Sequence, residues 1–100
     1  MNTKQEALTG MMYPYMTLND DTEITHSEMK PDGSVKVYIE TPDEKDGFHH
    51  AVCWLPAYKW ESVQGYTEKE MAFFSELIRN NAHAIMDFSV SGGVLNAAGL

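Results

Sequence analysis

Residues 31–40, Pro31-Asp32-Gly33-Ser34-Val35-Lys36-Val37-Tyr38-Ile39-Glu40, decide the fold. Val35, Val37 and Ile39 alternate with Lys36, Tyr38 and Glu40, so an extended chain here has one apolar and one wetter face. The preceding Pro31 to Ser34 segment is a turn signal, and Asp32-Gly33 suits a tight hairpin. The pattern predicts a strand over about 35–41, paired through that turn with a weaker strand over about 23–29. In the weaker strand the alternation is poor, because Ile24 and Met29 fall on opposite faces.

Beyond Glu40, Thr41 to Gly47 reads as a polar loop, and a third strand is predicted over about 48–55, antiparallel to the second. Its second half, Ala51-Val52-Cys53-Trp54-Leu55, is apolar on both faces, as in a strand that is covered twice or meets a partner. Pro56 stops it, and Ala57 to Gly65 reads as a loop carrying Tyr58 and Trp60. Thr67 and Glu70 form a capping box opening a helix over about 68–88. Met71, Phe74, Ile78, Ala82 and Ile85 make its apolar stripe, flanked by Leu77 and Phe88. Gly92 and Gly93 end it, leaving 93–100 as a loose tail.

At the other end, Thr3 and Glu6 form a second capping box. Leu8, Met11, Met12 and Tyr15 recur at helical spacing, Gly10 weakens the segment and Pro14 ends it, which predicts a helix over about 4–13. The expected fold class is α+β in the order α-β-β-β-α. A three-stranded antiparallel meander packs against a long amphipathic C-terminal helix in a single domain over 1–92, and the N-terminal helix completes the core or covers a sheet edge.

A chain of 100 residues allows one domain with one modest core. Its only cysteine, Cys53, permits no internal disulfide and points to a reducing compartment. No signal-peptide pattern and no apolar run of membrane-spanning length is visible, so cytoplasmic placement without membrane contact is expected. The net charge is −8, and residues 19–46 carry nine acids against three bases. Such a field repels phosphate, so no direct nucleic-acid binding is expected.

No cofactor motif is present: there is no GxGxxG and no Gly-Lys-Ser/Thr, and the glycine pair follows a helix. His49, His50 and Cys53 are the candidate metal ligands, with His26 on another strand. On a strand, however, His49 and Cys53 stand about 13 Å apart and His50 points the other way, so no metal is expected. Cys53 as a nucleophile is disfavoured by its apolar surroundings, which raise a thiol pKa. The loop Asp43-Glu44-Lys45-Asp46-Gly47 lacks the ligand pattern of an EF-hand. Arg79, His83 and Asp87 share a helix face as surface ion pairs. The aromatic residues Trp54, Tyr58, Trp60 and Tyr66 crowd one segment, and Tyr58, Trp60, Tyr66 and Phe73 are the candidate interaction residues.

These features lead to an expectation of a small non-catalytic interaction or regulatory protein, with an unidentified protein partner or self-association. One alternative is a ligand-binding domain or enzyme with a pocket between sheet and helix rimmed by Cys53, His49, His50 or Tyr38. The other is a structural subunit of a homo-oligomer.

Overall fold

The computed structural model describes residues 11–91. Five antiparallel strands form one sheet in the order β1 (Met12–Thr17), β2 (Glu23–Ser27), β3 (Val35–Asp43), β4 (Gly47–Leu55) and β5 (Lys59–Gln64), followed by the helix α1 (Glu68–Ser91). The α+β class holds, and the meander has five strands rather than three.

The alternation of β3 does what its sequence implies. Val35, Val37 and Ile39 are fully buried beneath the helix. Cross-strand pairing puts Leu55, Cys53 and Ala51 of β4 beside them on the same face, and Ile24 and His26 of β2 on the other side. α1 closes this layer with Phe74, Ile78 and Ile85, all in the predicted stripe. Ser89 is buried too, four residues past Ile85, and extends the stripe with a hydroxyl. The Thr67–Glu70 capping box is formed: Thr67 Oγ1 accepts from the Glu70 amide at 3.1 Å and Glu70 Oε1 accepts from the Thr67 amide at 2.8 Å.

The N-terminal helix needs correction where it is described. Met12 and Tyr13 lie in β1, an edge strand, while residues 4–10 lie outside the described residues. Pro14 sits where the register slips between Pro14 and Met16, a bulge on an edge, which is where a sheet tolerates a residue without an amide proton. Long-range contacts outweigh the helical spacing of the methionines: the Tyr15 hydroxyl donates to Asn81 Oδ1 at 2.7 Å, and its ring stands 6.1 Å from that of Phe88.

The predicted loop 57–65 contains β5. Its alternation is hidden by a register shift in the β4 pairing, with Ser62 at φ 58°, and by a run of exposed polar residues. In β2 the second inward residue is a histidine, which explains the weak apolar signal. The helix runs three residues beyond Phe88 to Ser91, and the predicted tail 93–100 lies outside the described residues. No helix among the described residues is long and apolar enough to cross a membrane.

Candidate functional site

One helix covers one face of the sheet, and no described element covers the other. That outer face is built by the same pleat that makes the core, since residues between the inward positions must point away from α1. Register fixes its rows. Lys36, Trp54 and Lys59 lie side by side; then come Thr25, Tyr38, Val52 and Glu61; then Glu23, Glu40, His50 and Gln64; and last Pro42 beside Phe48.

The middle of this face is aromatic and apolar. The Tyr38 and His50 rings stack with centroids 6.1 Å apart and planes 23° apart. Val52 is only 6% exposed although it points away from the helix, and Phe48 is 52% exposed. The Trp54 indole N–H donates to Glu61 Oε1, which holds the ring on the surface. Partial burial pushes the Tyr38 hydroxyl pKa up, reinforced by the Glu40 carboxylate, so Tyr38 stays a neutral phenol.

The four interaction residues named from sequence sit elsewhere. Trp60 points to the helix side, half-buried, and its indole donates to Ser75 Oγ at 3.2 Å. Tyr58 is half-buried under the Arg79 guanidinium, 4.5 Å from its ring centre. Tyr66 wedges its ring against Phe74 at 4.9 Å, while its hydroxyl donates to the His49 carbonyl at 3.2 Å. Phe73 is 55% exposed and separate from the outer face. The aromatic crowd is therefore split by strand alternation, with Trp54 outward and Trp60 inward.

The candidate metal ligands are not brought together either. His50 is on the outer face, Cys53 is in the core, and His49 lies at the far end of the helix-side row. His49 instead meets two carboxylates of the polar turn. Its Nε2 is 3.1 Å from Asp46 Oδ2 and 3.6 Å from Asp43 Oδ1. Asp43 is aimed by the amides of Asp46 and Lys45, at 2.9 and 3.1 Å, and these bonds together with His49 hold its carboxyl below the usual carboxylate range. Among the described residues this is the one group of three donors compact enough to hold a cation. Hydrogen bonding and ion pairing within the hairpin account for its geometry.

A serine–histidine pair lies inside the core. His26 Nδ1 is 2.9 Å from the Ser27 carbonyl and 3.0 Å from Ser89 Oγ, and His26 Nε2 has no hydrogen-bond partner among the described residues. Because the carbonyl only accepts, the ring proton belongs on Nδ1. Ser89 Oγ in turn donates to the Ile85 carbonyl at 2.8 Å. Nδ1 therefore cannot take the serine proton, and both side chains are buried, so the pair is structural.

A cleft of about 760 Å³ opens between the β1–β2 turn and the first turns of α1. Met16, Leu18, Phe73 and Phe74 form its apolar walls, with Asp20, Lys69 and Glu70 at the rim. It lies between sheet and helix as the ligand-binding alternative requires, but none of the rim residues proposed from sequence lines it.

No family model, curated protein or solved structure matches this chain.

Proposed function

We propose that the protein is a non-catalytic contact module that binds another protein surface through the outer face of its sheet. The observation that carries this reading is the asymmetry of the two layers. One face of the sheet is sealed by α1, while the other presents Phe48, Tyr38, His50 and Trp54 around Val52. A patch in which Tyr38, His50 and Trp54 are half-buried, Phe48 is exposed and charges form the rim has the composition of a protein interface. The net charge of −8 supports a protein over a nucleic acid as the occupant.

Affinity capture from the native host with full-length bait tests this. Wild-type bait retains a stoichiometric protein, and the pair Tyr38→Ser/Phe48→Ser loses at least about 10-fold of it, because buried interface aromatics carry about 2 kcal/mol or more each. Phe73→Ser retains it. The opposite pattern, with loss on Phe73→Ser and retention by the outer-face pair, would move the protein contact to the cleft at Phe73. Equal retention by both variants would remove the outer-face reading.

A further inference from the structure

We infer that the outer face is self-complementary and that its partner is a second copy of this chain. The inference rests on the contact reading above and adds the identity of the partner.

The order of the rows carries it. On β3, Tyr38 lies midway between Lys36 and Glu40, two residues from each. Rows on one face of a strand are about 6.6–6.8 Å apart. On one side of the Tyr38–Val52 row stands Lys36 with Trp54 and Lys59; on the other stands Glu40 with Glu23, His50 and Gln64. The face is thus basic on one side of its apolar centre and acidic, at the same spacing, on the other.

Place a two-fold axis in the interface, along the Tyr38–Val52 row and across the strands. It turns a second copy over and exchanges the flanking rows. Lys36 of each copy then faces Glu40 of the other, Trp54 faces His50, and Tyr38 and Val52 meet their own counterparts. The other in-plane axis, along the strands, would keep the rows and set acidic row against acidic row. Like-charge opposition therefore selects the first arrangement. Glu61 falls in the axial row opposite its own counterpart, but β5 is an edge strand, where sheet twist carries the facing layers apart.

A second feature obeys the same axis. Phe48 lies two rows from the Tyr38–Val52 row on the acidic side. Beside Trp54, on the basic side, is a recess of about 640 Å³ lined by Lys30, Pro31, Asp32, Ser34 and Trp54. The exchange carries the exposed Phe48 ring of one copy toward this recess on the other, giving each half of the interface one knob and one hole.

Sedimentation velocity on the full chain, from about 10 µM to 1 mM, tests the inference. Wild type forms a two-chain species in that range. Lys36→Glu and Glu40→Lys each weaken it at least about 10-fold, because each creates two like-charge contacts, and the double reversal recovers wild-type association to within about 3-fold. Lys36→Gln and Glu40→Gln replace the reversals if either fails to fold. A wild-type chain that stays single throughout, or a double reversal no better than its parents, would overturn the second copy as partner. The capture experiment then separates the two readings. If capture still depends on Tyr38 and Phe48, the contact face stands with a different occupant; if it does not, both fall.

Discussion

Gly65→Ala destabilises the domain by about 2–4 kcal/mol, lowering the melting temperature by roughly 10–25 °C. Two effects add. Gly65 has φ +93°, a conformation that L side chains rarely adopt, and a left-handed alanine costs about 1–2 kcal/mol. The added Cβ would also overlap Cδ2 and Cγ of the His49 ring. Cγ is the root of the ring, so no terminal rotation relieves the overlap, and the whole imidazole must leave its place against Tyr66 and Asp46. The two effects separate in the His49→Ala background, where Gly65→Ala retains only the backbone part, about 1–2 kcal/mol. Thermal melts of the four proteins decide this. Equal losses in both backgrounds would show that the β4–β5 end does not pack against Gly65 as described.

Cys53 is protected from thiol reagents in the folded protein, reacting at least about 10³-fold more slowly than in denaturant at the same pH. It lies on β4 under the helix at 1% exposure, and burial pushes its thiol pKa up to about 11 despite the opposing influence of Arg79. Access and ionisation therefore both fail, and modification must wait for unfolding. The same shift gives a pH dependence. A thiol raised above its unfolded value contributes its full stability below that ordinary value, and the contribution is lost as pH rises toward about 11. Denaturant melts above the ordinary thiol range become progressively easier for wild type, and Cys53→Ala removes this component. Rapid labelling at neutral pH would place Cys53 outside the core.

The parts of this architecture legible in the sequence are those where local pattern and burial agree. Val35 to Glu40 alternates without interruption because β3 is central and covered on one face. The helix is marked at its start by Thr67 and Glu70, whose reciprocal bonds need no tertiary partner. β1 was hidden because its methionines mimic a helical repeat and Pro14 reads as a stop, whereas an edge bulge accommodates proline. β5 was hidden because a register shift breaks its period and five of its six residues are exposed.

The outer face illustrates a different limit. Its residues are ordinary one by one, and only cross-strand register shows that Glu40 is level with Glu23 and His50 while Lys36 is level with Trp54. The aromatic excess from Trp54 to Tyr66 is real, yet it is not one surface. The pleat sends Trp54 outward and Trp60 to Ser75 of the helix. Arg79 likewise claims Tyr58 for the helix side.

That separation gives a direct measurement. The chain has two tryptophans, one on each side of the sheet, and each indole N–H yields its own signal in a proton–nitrogen correlation spectrum. The spectrum is followed as the contact forms, by raising the concentration of the chain or by adding the protein it captures. Contact through the outer face moves the Trp54 signal and leaves that of Trp60 in place. Movement of Trp60 with Trp54 unchanged, or a formed complex that moves neither, would contradict it.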